Sequence, residues 1–123
     1  MPQRPRRVKY PHLPNFLPDA PTVLAADAAI PIDVDTNFLL TKGSAGAYSV
    51  AAPGAANVGR VLEIETGSDF AHVVTFTGST LRDGTTGAKI TWTTAAFIGS
   101  SLRIRAITAA LWVVVSKNLG TVA

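Results

Sequence analysis

The sequence predicts an all-β protein: a small antiparallel β-sandwich, jelly-roll-like, behind an extended proline-rich N-terminal arm. Three observations carry the prediction. Residues 88–117 are dominated by Val, Ile, Thr, Phe and Trp, which fit a pleated, half-buried surface better than a helix. From Ala47 onward, short apolar stretches recur between Gly- and Pro-containing turns, at the roughly 8–12-residue spacing of sandwiches and barrels. Six of the eight prolines fall within residues 1–21, a density that excludes helix and central strand.

Taken in order, residues 1–21 read as extended or polyproline II backbone. Tyr10, Leu13, Phe16 and Leu17 are interspersed among the prolines, more large apolar groups than a solvent-exposed linker carries, so the arm is expected to dock on another surface. Ala25–Ala29 suits one helical turn, ended by Pro31. Ile32–Asp35 then alternates as a strand does, and Phe38-Leu39-Leu40 continues the apolar pattern. The flexible Lys42–Gly46 stretch places the boundary between an arm of residues 1–46 and a body of residues 47–123. Within the body, strands are expected at Ala47–Ala51, closed by Pro53-Gly54, and at Arg60–Thr66, with Leu62 and Ile64 on one face and Val61, Glu63 and Glu65 on the other. Phe70–Thr77 and the short Thr80-Leu81 follow, then a loop at Asp83–Gly87. Strands at Lys89–Thr93, Leu102–Ile107 and Leu111–Ser116 complete the set.

Composition bounds the function. Apolar residues make up 47% and charged residues 15%, which excludes wholesale disorder. There is no cysteine, hence no disulfide framework and no thiolate metal site. No apolar run approaches the roughly 18 residues of a membrane span, and four prolines after the basic start interrupt any signal-peptide core. Arg4, Arg6, Arg7 and Lys9 give residues 1–9 a charge of +4, while the remainder carries seven basic and eight acidic residues. The high isoelectric point therefore belongs to the arm.

Several groups invite a chemical reading. Asp33-Val34-Asp35-Thr36-Asn37 opens like a calcium loop, but Phe38 and Ser44 stand where glycine and glutamate are needed. Glu63 and Glu65 share a strand face with Cα atoms about 6.6 Å apart, within the range of paired glycosidase carboxylates. Arg103 and Arg105 repeat that spacing on another strand. If the two strands are neighbours, a cross-strand charge ladder accounts for all four residues, whereas catalysis accounts for two. His12 and His72 are far apart, with no nucleophile elbow and no arranged aspartate, so neither a catalytic triad nor a metal set is expected. Trp92 and Trp112 suit core or interface packing more than a ligand shelf. The four cations of the arm suit phosphate or carboxylate alike. The apolar residues that follow them point to protein rather than nucleic acid.

RVLEI at residues 60–64, the DGTTGA loop, AAFIGSSLRIRAI and LWVVVSKNLGTVA together resemble a small β-module of tailed-bacteriophage structural proteins. The resemblance spans Gly59–Ala123 and rests on the Gly99-Ser100 turn, the Leu102–Ile107 strand, Trp112 and Gly120. It implies a capsid decoration (cement) protein or, alternatively, a fibre- or spike-type domain binding a host glycan or receptor. It further implies a homo-oligomer, commonly a trimer, with the major capsid protein as partner and the virion capsid surface as location, assembled in the host cytoplasm. No enzyme activity and no cofactor are expected from it. A body of about 77 residues also has a thin core, which oligomerisation commonly supplements.

Overall fold

The computed structural model describes residues 20–84, 86–92, 98–118 and 120–123. They form an all-β sandwich of two sheets. One sheet has seven strands in the order β1-β3-β5-β10-β11-β7-β8 and the other has five in the order β12-β9-β6-β4-β2. In chain order the strands are β1 (Thr22–Leu24), β2 (Ala28–Ala29), β3 (Asn37–Leu40), β4 (Ala47–Ala51), β5 (Val61–Thr66) and β6 (Val73–Thr77). Then come β7 (Thr80–Arg82), β8 (Thr86–Gly87), β9 (Lys89–Trp92), β10 (Ser101–Thr108), β11 (Leu111–Asn118) and β12 (Gly120–Val122).

The first six strands alternate between the sheets. Within each sheet every one of them lies parallel to the strand two before it: β1, β3 and β5 in the larger sheet, β2, β4 and β6 in the smaller. The chain therefore winds as a coil of three turns. From the second turn to the third both sheets advance by 26 residues, Phe38 opposite Ile64 and Tyr48 opposite Val74. The later strands add antiparallel to this coil, β9 on β6 and β10 on β5, with β11 and β12 outside them.

Four expectations are corrected here. The sandwich is not antiparallel throughout, because five pairings are parallel. The early turns carry the chain to the opposite sheet and back, and that round trip returns it to its own sheet parallel to the strand before. A hairpin would have reversed it. The body also begins well before residue 47. Strands β1–β3 belong to the sheets, and Phe38 and Leu40 have no exposed surface. The Ala25–Ala29 stretch forms a bend and β2 in place of a helical turn, and Ile32–Asp35 lies in bends between strands.

The core lies between the sheets, with the alternation read from Leu62, Ile64, Leu102 and Ile104 pointing inward. Trp92 and Trp112 are fully buried, and each ties its own sheet to the other. Trp112 on β11 donates its indole N–H to the Ala51 carbonyl of β4 at 3.0 Å. Trp92 on β9 donates to the Asn118 carbonyl of β11 at 3.1 Å. The ligand-shelf reading of the tryptophans therefore fails. At one flank the sheets meet closely. A Cβ on Gly87 of β8 would stand 2.6 Å from a Val122 methyl of β12, while the bonds from the Ala88 and Lys89 N–H groups to the Ala123 carbonyl continue the β9–β12 pairing within the smaller sheet.

Candidate functional site

On the outer face of the seven-stranded sheet, β5 lies beside β10 and places Arg103 opposite Glu63. Their ion pair is 3.6 Å long, with the side chains 52% and 43% exposed, a geometry worth at most about 1 kcal/mol. Glu65 stands opposite Ser101 and Arg105 opposite Val61. Among the described residues no ion pair reaches either of them. The four charges thus share a face, and one rung of the ladder is paired.

Beside that rung is a hollow of about 250 Å³, lined by Thr36, Asn37, Val61, Glu63 and Arg103. Glu65 is outside it, so the two carboxylates do not face one enclosed substrate space. The calcium reading finds no support: Phe38 is core, Asp35 accepts a bond from the Thr22 hydroxyl at 2.7 Å, and no three ligand-type side chains converge among the described residues.

The most highly organised polar group lies where the coil's turns stack, at residues 25–27, 41–46 and 67–72. Asp27 of the first turn accepts bonds from Lys42 Nζ at 2.8 Å and from the Ala47 N–H at 2.9 Å, both reaching up from the second. Its carboxyl is held below the usual aspartate range, chiefly by the Lys42 bond. His72 of the third turn is fully buried and accepts the Gly46 N–H at Nδ1, 2.9 Å away. Its Nε2 lies 2.9 Å from the Ser68 hydroxyl, which donates to the Lys42 carbonyl at 2.7 Å. Tyr48 meets the imidazole edge-on with ring centroids 5.7 Å apart, and donates to the Leu24 carbonyl of the first turn at 3.2 Å. Gly46 is required for this approach, because a Cβ there would stand 2.6 Å from the Tyr48 ring and 2.9 Å from His72 Nδ1.

This arrangement contains a Ser–His pair, and its proton positions decide what the pair can do. Nδ1 faces a backbone donor and must accept. The ring proton of the neutral form is then on Nε2, which donates to Ser68. A general base acting on that serine would need a free lone pair at Nε2. His72 therefore links turns and does not activate Ser68. Burial, reinforced by the Lys42 charge, lowers its pKa and keeps the ring neutral. The sequence reading put His72 inside a Phe70–Thr77 strand, whereas β6 begins at Val73 and His72 is buried just before it, and it missed Ser68, Gly46 and Lys42. Only the Ser-x-x-x-His spacing hinted at them, since Gly46 is 26 residues away along the chain.

The arm residues Arg4, Arg6, Arg7, Lys9, Tyr10, Leu13, Phe16 and Leu17 lie outside the described residues. What the fold defines, then, is a class: an all-β coiled sandwich whose buried polar groups tie its own turns and sheets together. Comparison with known protein families, curated proteins and solved structures finds no match for this chain.

Proposed function

We infer that the protein is a structural virion component that decorates and stabilises a tailed-phage capsid. On this reading the body is oligomeric, as a trimer, and the N-terminal arm grips neighbouring subunits and the major capsid protein. The carrying observation is the internal use of the polar chemistry: His72, Ser68, Asp27 and both tryptophans bind turns and sheets of the chain itself. That leaves sheet faces, strand edges unpaired among the described residues and a basic arm as the surfaces for partners. A decoration protein works by adding buried area across subunit boundaries and needs no reacting group. The resemblance over Gly59–Ala123 supports the phage assignment, and no helix among the described residues is long and apolar enough to cross a membrane. With the body starting near Thr22, the thin-core argument for assembly weakens, and those strand edges take its place.

The test is co-sedimentation of the full chain, and of a chain starting at Ala20, with shells of the major capsid protein. Binding and a raised shell-opening temperature are expected for the full chain, and loss of both for the truncated one. Equal binding by the two would remove the gripping role of the arm. A second reading, a fibre- or spike-type domain for a host glycan, is favoured by the hollow beside Glu63, whose Thr36, Asn37, Glu63 and Arg103 side chains suit hydroxyl groups. A glycan array probed with the full chain and with Glu63→Gln tests it, and binding that is absent or unaffected by the substitution excludes this hollow.

A further inference from the structure

We propose that the open end of the coil, the outer edges of β1 and β2, receives the basic arm of a second copy of this chain. The inference rests on the reading of the arm as a grip, and it names what the arm grips.

Both sheets end at the first turn of the coil, one in β1 and the other in β2, and neither strand has an outer partner among the described residues. The layer there is thinly covered: Leu24 and Ile32 are only partly buried against the core, and Val23 is 56% exposed. The opposite flank differs, because Gly87 of β8 in one sheet lies against Val122 of β12 in the other. One flank of the sandwich is thus closed, and at the other two strand edges have no partner among the described residues. An exposed edge offers backbone donors and acceptors to an added strand.

Charge selects the occupant. From Ala20 to Thr41 the chain carries exposed Asp27, Asp33 and Asp35 and no lysine or arginine, and since Lys42 occupies Asp27, the acidic groups left on this layer are Asp33 and Asp35. Asp33 has no partner among the described residues. The arm carries +4 over residues 1–9. Within it Arg7-Val8-Lys9-Tyr10 is free of proline and alternates, Val8 and Tyr10 falling on one side, with Arg6 at its start, and Arg7 and Lys9 on the other. Added to the edge, such a strand extends the apolar layer with Val8 and Tyr10 and turns Arg7 and Lys9 to the other side, within the charge reach of Asp33 and Asp35.

Reach decides whose arm it is. Between this segment and β1 stand residues 11–21 with prolines at 11, 14, 18 and 21. Eleven residues of proline-rich extended chain span ~34 Å at ~3.1 Å each. That matches the ~34 Å breadth of a sphere with the ~13 Å radius of gyration of a 100-residue body. A spacer of that composition and length is long enough to take the basic segment past its own edge strand to a neighbouring copy.

The chain has no cysteine, so introduced thiols report alone. Full-length Val8→Cys and Val23→Cys variants are mixed and oxidised. A disulfide-linked heterodimer is expected, with its yield falling several-fold in about 0.5 M salt, where charge pairs are screened, and also in Asp33→Lys. Val8→Cys mixed with Val115→Cys, exposed on β11, is expected to give none. Absence of the heterodimer overturns the proposal. So does a Val8→Cys/Val23→Cys double variant that cross-links only within one chain, which would show the arm covering its own edge. Heterodimers without capsid binding would leave this inference standing and remove the capsid reading, and the reverse result would do the opposite.

Discussion

At His72 the two ring nitrogens face different partners, a backbone donor at Nδ1 and a serine hydroxyl at Nε2, and only the neutral ring serves both. Protonation would set two N–H groups against each other at Gly46, in a site with no exposed surface. The sign follows from the direction of the shift. The folded-state pKa lies below the unfolded value of about 6.5, so the unfolded chain binds the extra proton. The contribution is fully present above about pH 6.5 and is lost as pH falls through the folded-state value, with a slope of at most about 1.4 kcal/mol per pH unit. The groups facing the ring from neighbouring turns are Lys42, which adds to the lowering, and Tyr48, whose own pKa burial raises and which stays neutral throughout this range. Urea unfolding of the full chain between pH 7.5 and pH 5 is expected to show this decline, and His72→Gln to flatten it. An unchanged slope in that variant would assign the pH dependence elsewhere.

Among the elements, β10 is the pivot. It pairs with the coil through β5 on one side and with β11 on the other, and its inward Leu102, Ile104 and Ala106 line the core. Its outward arginines are energetically minor by comparison. A double-mutant cycle on Glu63→Gln and Arg103→Gln is expected to return a coupling of about 0.2–1 kcal/mol, whereas Ile104→Ala is expected to cost about 2–5 kcal/mol. A larger coupling would mean that the pair is less solvated than its half-exposed side chains indicate. Strands long enough to show alternation, such as β4, β5, β10 and β11, were legible in the sequence. β1, β2 and β12 were not, because two or three residues such as Ala28-Ala29 cannot display a period.

For the molecule as a whole, the boundary of the folded unit is the consequential quantity. A chain starting at Ala20 retains all twelve strands found among the described residues, and is expected to unfold at the same urea concentration as the full chain. A chain starting at Ala47 loses β1–β3 together with buried Ile30, Phe38 and Leu40. Removing side chains of that size costs about 2–5 kcal/mol each, against a total stability of about 5–15 kcal/mol. Circular dichroism of that shorter chain is expected to show no cooperative transition, and a cooperative one would return β1–β3 to the arm.

The sequence by itself determined the β class, the inward faces of the longer strands and the concentration of positive charge in the first nine residues, and it narrowed both tryptophans to core or interface. Those properties are written in local alternation, composition and proline spacing. Only the tertiary structure decided that Phe38 lies opposite Ile64 and that Gly46 meets His72. The two turns concerned share a 26-residue step, but hardly any identical residues. A Gly-containing turn reads alike whether the chain reverses within a sheet or crosses to the other one. The choice between hairpin and coil is made by which pairing buries both inner faces at once, a property of the assembled core.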